Sequence, residues 1–142
     1  MTGGRGASGA GPTGSMEPTR TPRLAPYLVV RDAGALIEFL ERALDGRLAY
    51  VQRDPEGRVR HAEVRVADAV VMLADAPAGA PPFPAMVHLY VADADLSHRR
   101  ALAAGAQSVR VPEDQPDGDR RGGVADPWGN QWWFTRLPPP GR

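Results

Sequence analysis

Tyr27-Leu-Val-Val-Arg-Asp32 is echoed in the second half of the chain by His88-Leu-Tyr-Val-Ala-Asp93. In both places a short β-prone run ends in an Asp, and a stretch with helical spacing follows. An Asp at that point is a good N-cap, because its carboxylate accepts from the free N–H groups of the first turn. Each segment therefore predicts a strand leading straight into a helix, and the recurrence predicts an internal repeat.

Working outward from the first segment, Leu36, Ile37, Leu40, Ala43 and Leu44 share one helical face, and Gly46 stands where a C′ glycine belongs. Leu48 to Arg53 reads as a second strand, Asp54-Pro-Glu-Gly57 as a turn and Val59 to Ala67 as a third strand. A two-residue hairpin at Ala67-Asp68 pairs Val66 with Ala69 and sets a fourth strand, Ala69 to Ala74. Period-2 alternation then puts Ala62, Val64, Val66, Val71 and Leu73 on one face and His61, Glu63, Arg65, Val70 and Met72 on the other.

The order repeats after a Pro-rich linker. Met86 to Val91 is a strand, Asp93 or Asp95 caps a helix to Ala104, Gly105 ends it, and Gln107 to Val111 is a strand. A loop with Pro112 and Pro116 leads to two closing strands around Val124 and Asn130, the second of which follows the turn Asp126-Pro-Trp-Gly129. On that last strand Trp132 and Phe134 face the core, opposite Gln131, Trp133 and Thr135. The fold class is α+β, two tandem βαβββ units. A disordered tail is expected over 1–22, the domain over 23–137 with units at about 25–75 and 85–136, and a loose C-terminus over 138–142; Met1 and Met16 are both candidate starts.

Composition removes several classes of function. The 142 residues hold no Cys, so disulfides, thiolate metal sites and cysteine nucleophiles are excluded. Seventeen basic residues, all Arg, balance seventeen acidic ones, and only Arg99-Arg100 and Arg120-Arg121 cluster, so neither a nucleic-acid nor a membrane footprint is present. No apolar run approaches a membrane span or a signal peptide, which makes a cytoplasmic protein the expectation.

The chain resembles the vicinal oxygen chelate superfamily of glyoxalases, bleomycin-resistance proteins and dioxygenases, and within it the glyoxalase-like subgroup called PhnB-like. The resemblance runs from about Arg23 to Arg136 and is carried by Pro26 to Asp32, His61-Ala-Glu-Val-Arg65, Val70-Val-Met-Leu73, Gly105-Ala106, Pro112-Glu-Asp-Gln115, Gly118-Asp-Arg120 and Asp126-Pro-Trp-Gly129. It implies a half-open barrel, the glyoxalase/bleomycin-resistance fold, commonly assembled as a homodimer. It also implies that the four family metal positions fall on Ala25, Met72, Met86 and Trp133, none of them a usual ligand for a divalent ion. No metal and no cofactor is therefore expected.

The same resemblance turns one strand face inward, so that Tyr27, His61, Glu63, Arg65, Met72, Met86, His88, Tyr90, Gln131 and Trp133 line a small-molecule cavity, with Trp128 in the turn beside it. Each has a plainer role to set against that one. Trp133 either stacks on a planar ligand or packs an unused sheet face, and Trp128 either caps the pocket or is buried in a dimer contact. His61 and Glu63 are a base with its orienting carboxylate, or a charged row with Arg65 on a wet face. His88 is a hydrogen-bonded pocket histidine or a catalytic one, and His98, beside Arg99, is expected at the surface. A displaced metal site from His61, Glu63 and His88 has suitable donors but no spacing rule behind it. The expected function is metal-independent binding of an apolar or aromatic ligand, with sequestration of a drug-like molecule as its purpose. The alternatives are a glyoxalase-like lyase or isomerase with His61, Glu63 or His88 as the general base, and a domain without a ligand.

Overall fold

A computed structural model of the protein describes residues 22–138. Apart from Pro22 and Pro138, the expectations for the two termini, Met16 included, lie outside the described residues. The chain forms two compact units. The first contains β1 (Tyr27–Val30), most of α1 (Ala33–Leu44), β2 (Arg47–Arg53), β3 (Val59–Val66) and β4 (Ala69–Asp75). The second contains β5 (Met86–Val91), α2 (Ala94–Ala103), β6 (Gln107–Asp114), β7 (Arg120–Ala125) and β8 (Gln131–Arg136). Each unit is thus βαβββ, and the fold class is α+β as the repeat predicts.

The two sheets have the same topology. The strand order is β1-β4-β3-β2 in one and β5-β8-β7-β6 in the other, with the first strand parallel to the last and the remaining pairs antiparallel. Neither sheet closes on itself. The helix starts use the chemistry expected of their Asp residues: Asp32 Oδ1 accepts from Ala35 N at 3.1 Å, and Asp93 Oδ1 from Leu96 N at 3.0 Å. Asp93, not Asp95, is the cap of α2.

In the first unit the predicted alternation decides the core. Leu28, Val30, Ala62, Val64, Val71 and Leu73 are buried, as are Leu36, Ile37 and Leu40 on the apolar stripe of α1. Asp75 ties the layers together, with its two carboxylate oxygens accepting from Ala33 N and Val59 N, each at 2.7 Å. The hairpin pairs Val66 with Ala69 as expected, and Ala67 takes the positive φ of 54° that the tight reversal demands.

Three local expectations need correction. The left-handed residue after α1 is Asp45 rather than Gly46; Gly46 is required instead by crowding, since a Cβ there would lie 2.9 Å from Val64 Cγ1. Strand β6 continues through Pro112 to Asp114, which is tolerated because it is an edge strand and Pro112 falls where its register with β7 shifts.

The third correction is His98, which is buried rather than on the surface and hydrogen-bonds Ser108 Oγ at 2.8 Å. Ala94, His98 and Ala101 make up the buried face of α2, so helical spacing overrides the polar neighbourhood in sequence. Burial pushes the His98 imidazole below its ordinary pKa, against the opposing pull of Asp95. The unfolded chain then takes up a proton at a higher pH than the folded one. Stability is full above the ordinary value of 6.5 and falls as the pH drops from there towards the folded pKa. The thermal midpoint should decline below that pH in the wild type and decline less steeply in His98→Gln; parallel profiles would contradict this.

Candidate functional site

The helix-distal face of the first sheet carries a row of side chains in register across all four strands: Tyr27 opposite Met72, Met72 opposite Glu63, and Glu63 opposite Tyr50. His61 stands one pleat away, and its ring joins the row. Tyr27 Oη lies 2.9 Å from His61 Nδ1, and His61 Nε2 lies 2.9 Å from Glu63 Oε2. Ring centroids are 5.6 Å apart for Tyr27 and His61 and 6.2 Å apart for Tyr50 and His61. Burial and the negative charge of Glu63 push the Tyr27 phenol above its ordinary pKa, so it stays protonated at neutral pH. Arg65 follows on the same face.

Tyr50 was not among the residues singled out from sequence. A register shift between Leu48 and Tyr50 interrupts the pairing of β2 with β3, so the face of Tyr50 is fixed by its partner Glu63.

The equivalent face of the second sheet is built from two hydrogen-bonded pairs. Trp133 Nε1 donates to Gln131 Oε1 at 2.9 Å, and His88 Nε2 lies 2.7 Å from Thr135 Oγ1. The Tyr90 ring sits 5.2 Å from that of His88, and Met86 and Tyr90 are largely open. The Trp133 indole lies over Gly123, its cross-strand partner. Arg121, opposite Thr135, also belongs to this face, where it pairs with Asp117 at 3.1 Å and Asp119 at 3.4 Å, and its Nε is buried without a hydrogen-bond partner. Its position is set by pairing with β8, which composition does not reveal. The neighbouring Arg120 is clamped by Asp95 at 2.7 Å and by Asp114 at 3.1 Å.

Behind this face, the closing turn is organised by Asp126, a buried carboxylate. It accepts from Trp128 N, Asn130 N, Asn130 Nδ2 and Trp132 Nε1. Asn130, fully buried, accepts from Ala85 N through its Oδ1 at 3.0 Å, which ties the turn to the start of β5. Trp132 and Phe134 are buried as expected, and Trp128 is half-buried in the turn.

The sequence profile of the Glyoxalase/Bleomycin resistance protein/Dioxygenase superfamily matches residues 20–134. The chain belongs to this superfamily. An uncharacterized protein of Mycobacterium tuberculosis H37Rv is 39% identical over 122 residues, covering 78% of this chain and 72% of the relative. Among solved structures, TioX from Micromonospora sp. ML1 is similar at 28% identity with a TM-score of 0.69, over 82% of this chain and 98% of TioX. Glyoxalase I from Zea mays aligns with a TM-score of 0.69 at 22% identity, over 79% of this chain and 44% of the maize enzyme, a likeness of fold alone.

The superfamily positions that hold metal in metal-using members, placed by resemblance at Ala25, Met72, Met86 and Trp133, do not fit a divalent ion here. A methyl group, two thioethers and an indole whose N–H is already given to Gln131 supply no oxygen, imidazole or thiolate donor. Among the described residues, no three of His, Cys, Asp and Glu gather as a possible metal site. No helix among them is long and apolar enough to cross a membrane.

Proposed function

We propose that this superfamily member binds a small aromatic molecule stoichiometrically, without a metal, against the helix-distal face of a sheet. The supporting observation is that the polar groups on that face of each sheet are already paired and aimed, Tyr27 with His61 and Glu63, Trp133 with Gln131, and His88 with Thr135. Side chains fixed in this way lose little further freedom when a ligand arrives, which is how a mostly aromatic surface with few polar groups acquires selectivity. Met72, Met86 and Tyr90 supply the apolar remainder. Sequestration of a drug-like molecule fits the bleomycin-resistance branch named in the superfamily, and a homodimer belongs to the same proposal.

Thermal-shift screening against planar aromatic compounds tests the reading, because a ligand specific for the native state raises the midpoint by mass action. For a compound that binds, Trp133→Ala should weaken affinity about tenfold, since one aromatic contact is worth on the order of 1–2 kcal/mol. The same variant should lose most of the ligand-induced quenching of tryptophan fluorescence. Unchanged affinity would remove Trp133 from the site.

A further inference from the structure

With the imidazole neutral, the donor chemistry of the Tyr27–His61–Glu63 line fixes where each proton lies. A carboxylate only accepts, so the 2.9 Å contact with Glu63 requires the hydrogen to be on His61 Nε2. A neutral ring protonated there has a bare Nδ1, and the second 2.9 Å contact is therefore the Tyr27 phenol donating to it. Both ring nitrogens of His61 are thus occupied, and the imidazole cannot meet a ligand directly. The open end of the line is Tyr27, which is 42% exposed, with its hydrogen turned inward and its remaining oxygen lone pairs turned out. A ligand meets an acceptor there, while the half-exposed ring of Tyr50 lies 6.2 Å from that of His61.

We propose that this line is a proton relay by which the first unit selects ligands carrying an acidic O–H on an aromatic or enolic framework and binds them as anions. The inference rests on the small-molecule reading above and names the ligand class for it. The ligand O–H gives its proton to Tyr27 Oη, Tyr27 passes its own proton to His61 Nδ1, and the resulting imidazolium is held by Glu63. One proton moves from ligand to imidazole in two steps, no bond between heavy atoms changes, and net charge is conserved. The arrangement has the logic of a carboxylate–imidazole–hydroxyl triad, with a phenol as its outer member. The raised pKa of Tyr27 agrees with this role, since a phenol that keeps its proton at rest conveys one instead of acting as a standing anion.

The test uses the full chain with 4-nitrophenol, whose neutral and ionised forms absorb at different wavelengths, and with 4-nitroanisole, its methyl ether, which has no proton to give. The buffer is set near the phenol's own pKa, close to neutrality, where about half of it is ionised in solution and free imidazole is mainly neutral. Wild type should bind the phenol almost wholly as phenolate, about a doubling of the ionised fraction. Tyr27→Phe and His61→Gln should bind it neutral. Two results overturn the relay while leaving the small-molecule reading intact: a bound phenol that stays neutral on wild type, or phenolate formation that persists in Tyr27→Phe. Binding of the ether without the phenol also overturns it, and binding of neither compound counts against both proposals.

Discussion

Replacing Asp126 with alanine is expected to lower the unfolding free energy by about 3–5 kcal/mol, among the largest losses any single side chain in the second unit should produce. The carboxylate is only 5% exposed and receives hydrogen bonds from two backbone N–H groups, the Asn130 amide and the Trp132 indole. Alanine leaves these donors without an acceptor, and Asn130 and Trp132 are too deeply buried for water to replace it. Each orphaned donor costs about 1–3 kcal/mol, with partial relaxation of the turn reducing the sum. Asp126→Asn keeps one acceptor oxygen but sets an amide N–H against another donor, so its cost should be smaller. Urea unfolding followed by circular dichroism measures both, and a loss below about 1 kcal/mol in the alanine variant would show that the turn is held by something else.

The same residue marks the boundary of what the sequence discloses. Asp126-Pro-Trp-Gly129 is legible as a turn because Pro and Gly have local conformational preferences. That the carboxylate reaches forward to the indole of Trp132 depends on the turn's closed geometry. The repeat was legible for a related reason: Asp32 and Asp93 each cap a helix within three residues, and alternation on β3 and β4 sorts Ala62 and Val64 from His61 and Glu63 without tertiary information. His98 was misplaced because α2 buries only alanines beside it, so hydrophobic contrast, the usual guide to a helix face, is nearly absent. Tyr50 and Arg121 join their faces through cross-strand pairing, one next to a register shift. The hydrogen bond from Tyr27 to His61 spans residues 34 apart in sequence, and the family resemblance puts both on one face without joining them. Periodicity thus decides faces, and pairing decides which residues on a face meet.

Gly123 shows how a backbone position governs a site residue. A Cβ built there would sit 2.6 Å from Trp133 Cδ2, 2.7 Å from Cε2 and 2.8 Å from Cε3, distances no packed methyl adopts. The indole lies flat on the strand because the opposite residue has no side chain, and its N–H then points to Gln131. Gly123→Ala must lift the ring and break that hydrogen bond. Overpacking of this kind costs about 1–3 kcal/mol. In a Trp133→Ala background the obstruction is gone, and the same substitution should be neutral or slightly stabilising, because alanine restricts the unfolded chain more than glycine does. A double-mutant cycle should therefore return a coupling of about 1–3 kcal/mol between the two positions, whereas equal costs in both backgrounds would mean that the ring moves aside freely. The single variant Gly123→Ala separates structure from recognition as well. It retains every tryptophan yet displaces one, so a ligand that stacks on the seated indole should lose both affinity and quenching, while a ligand held only by the first unit should bind it as it binds wild type.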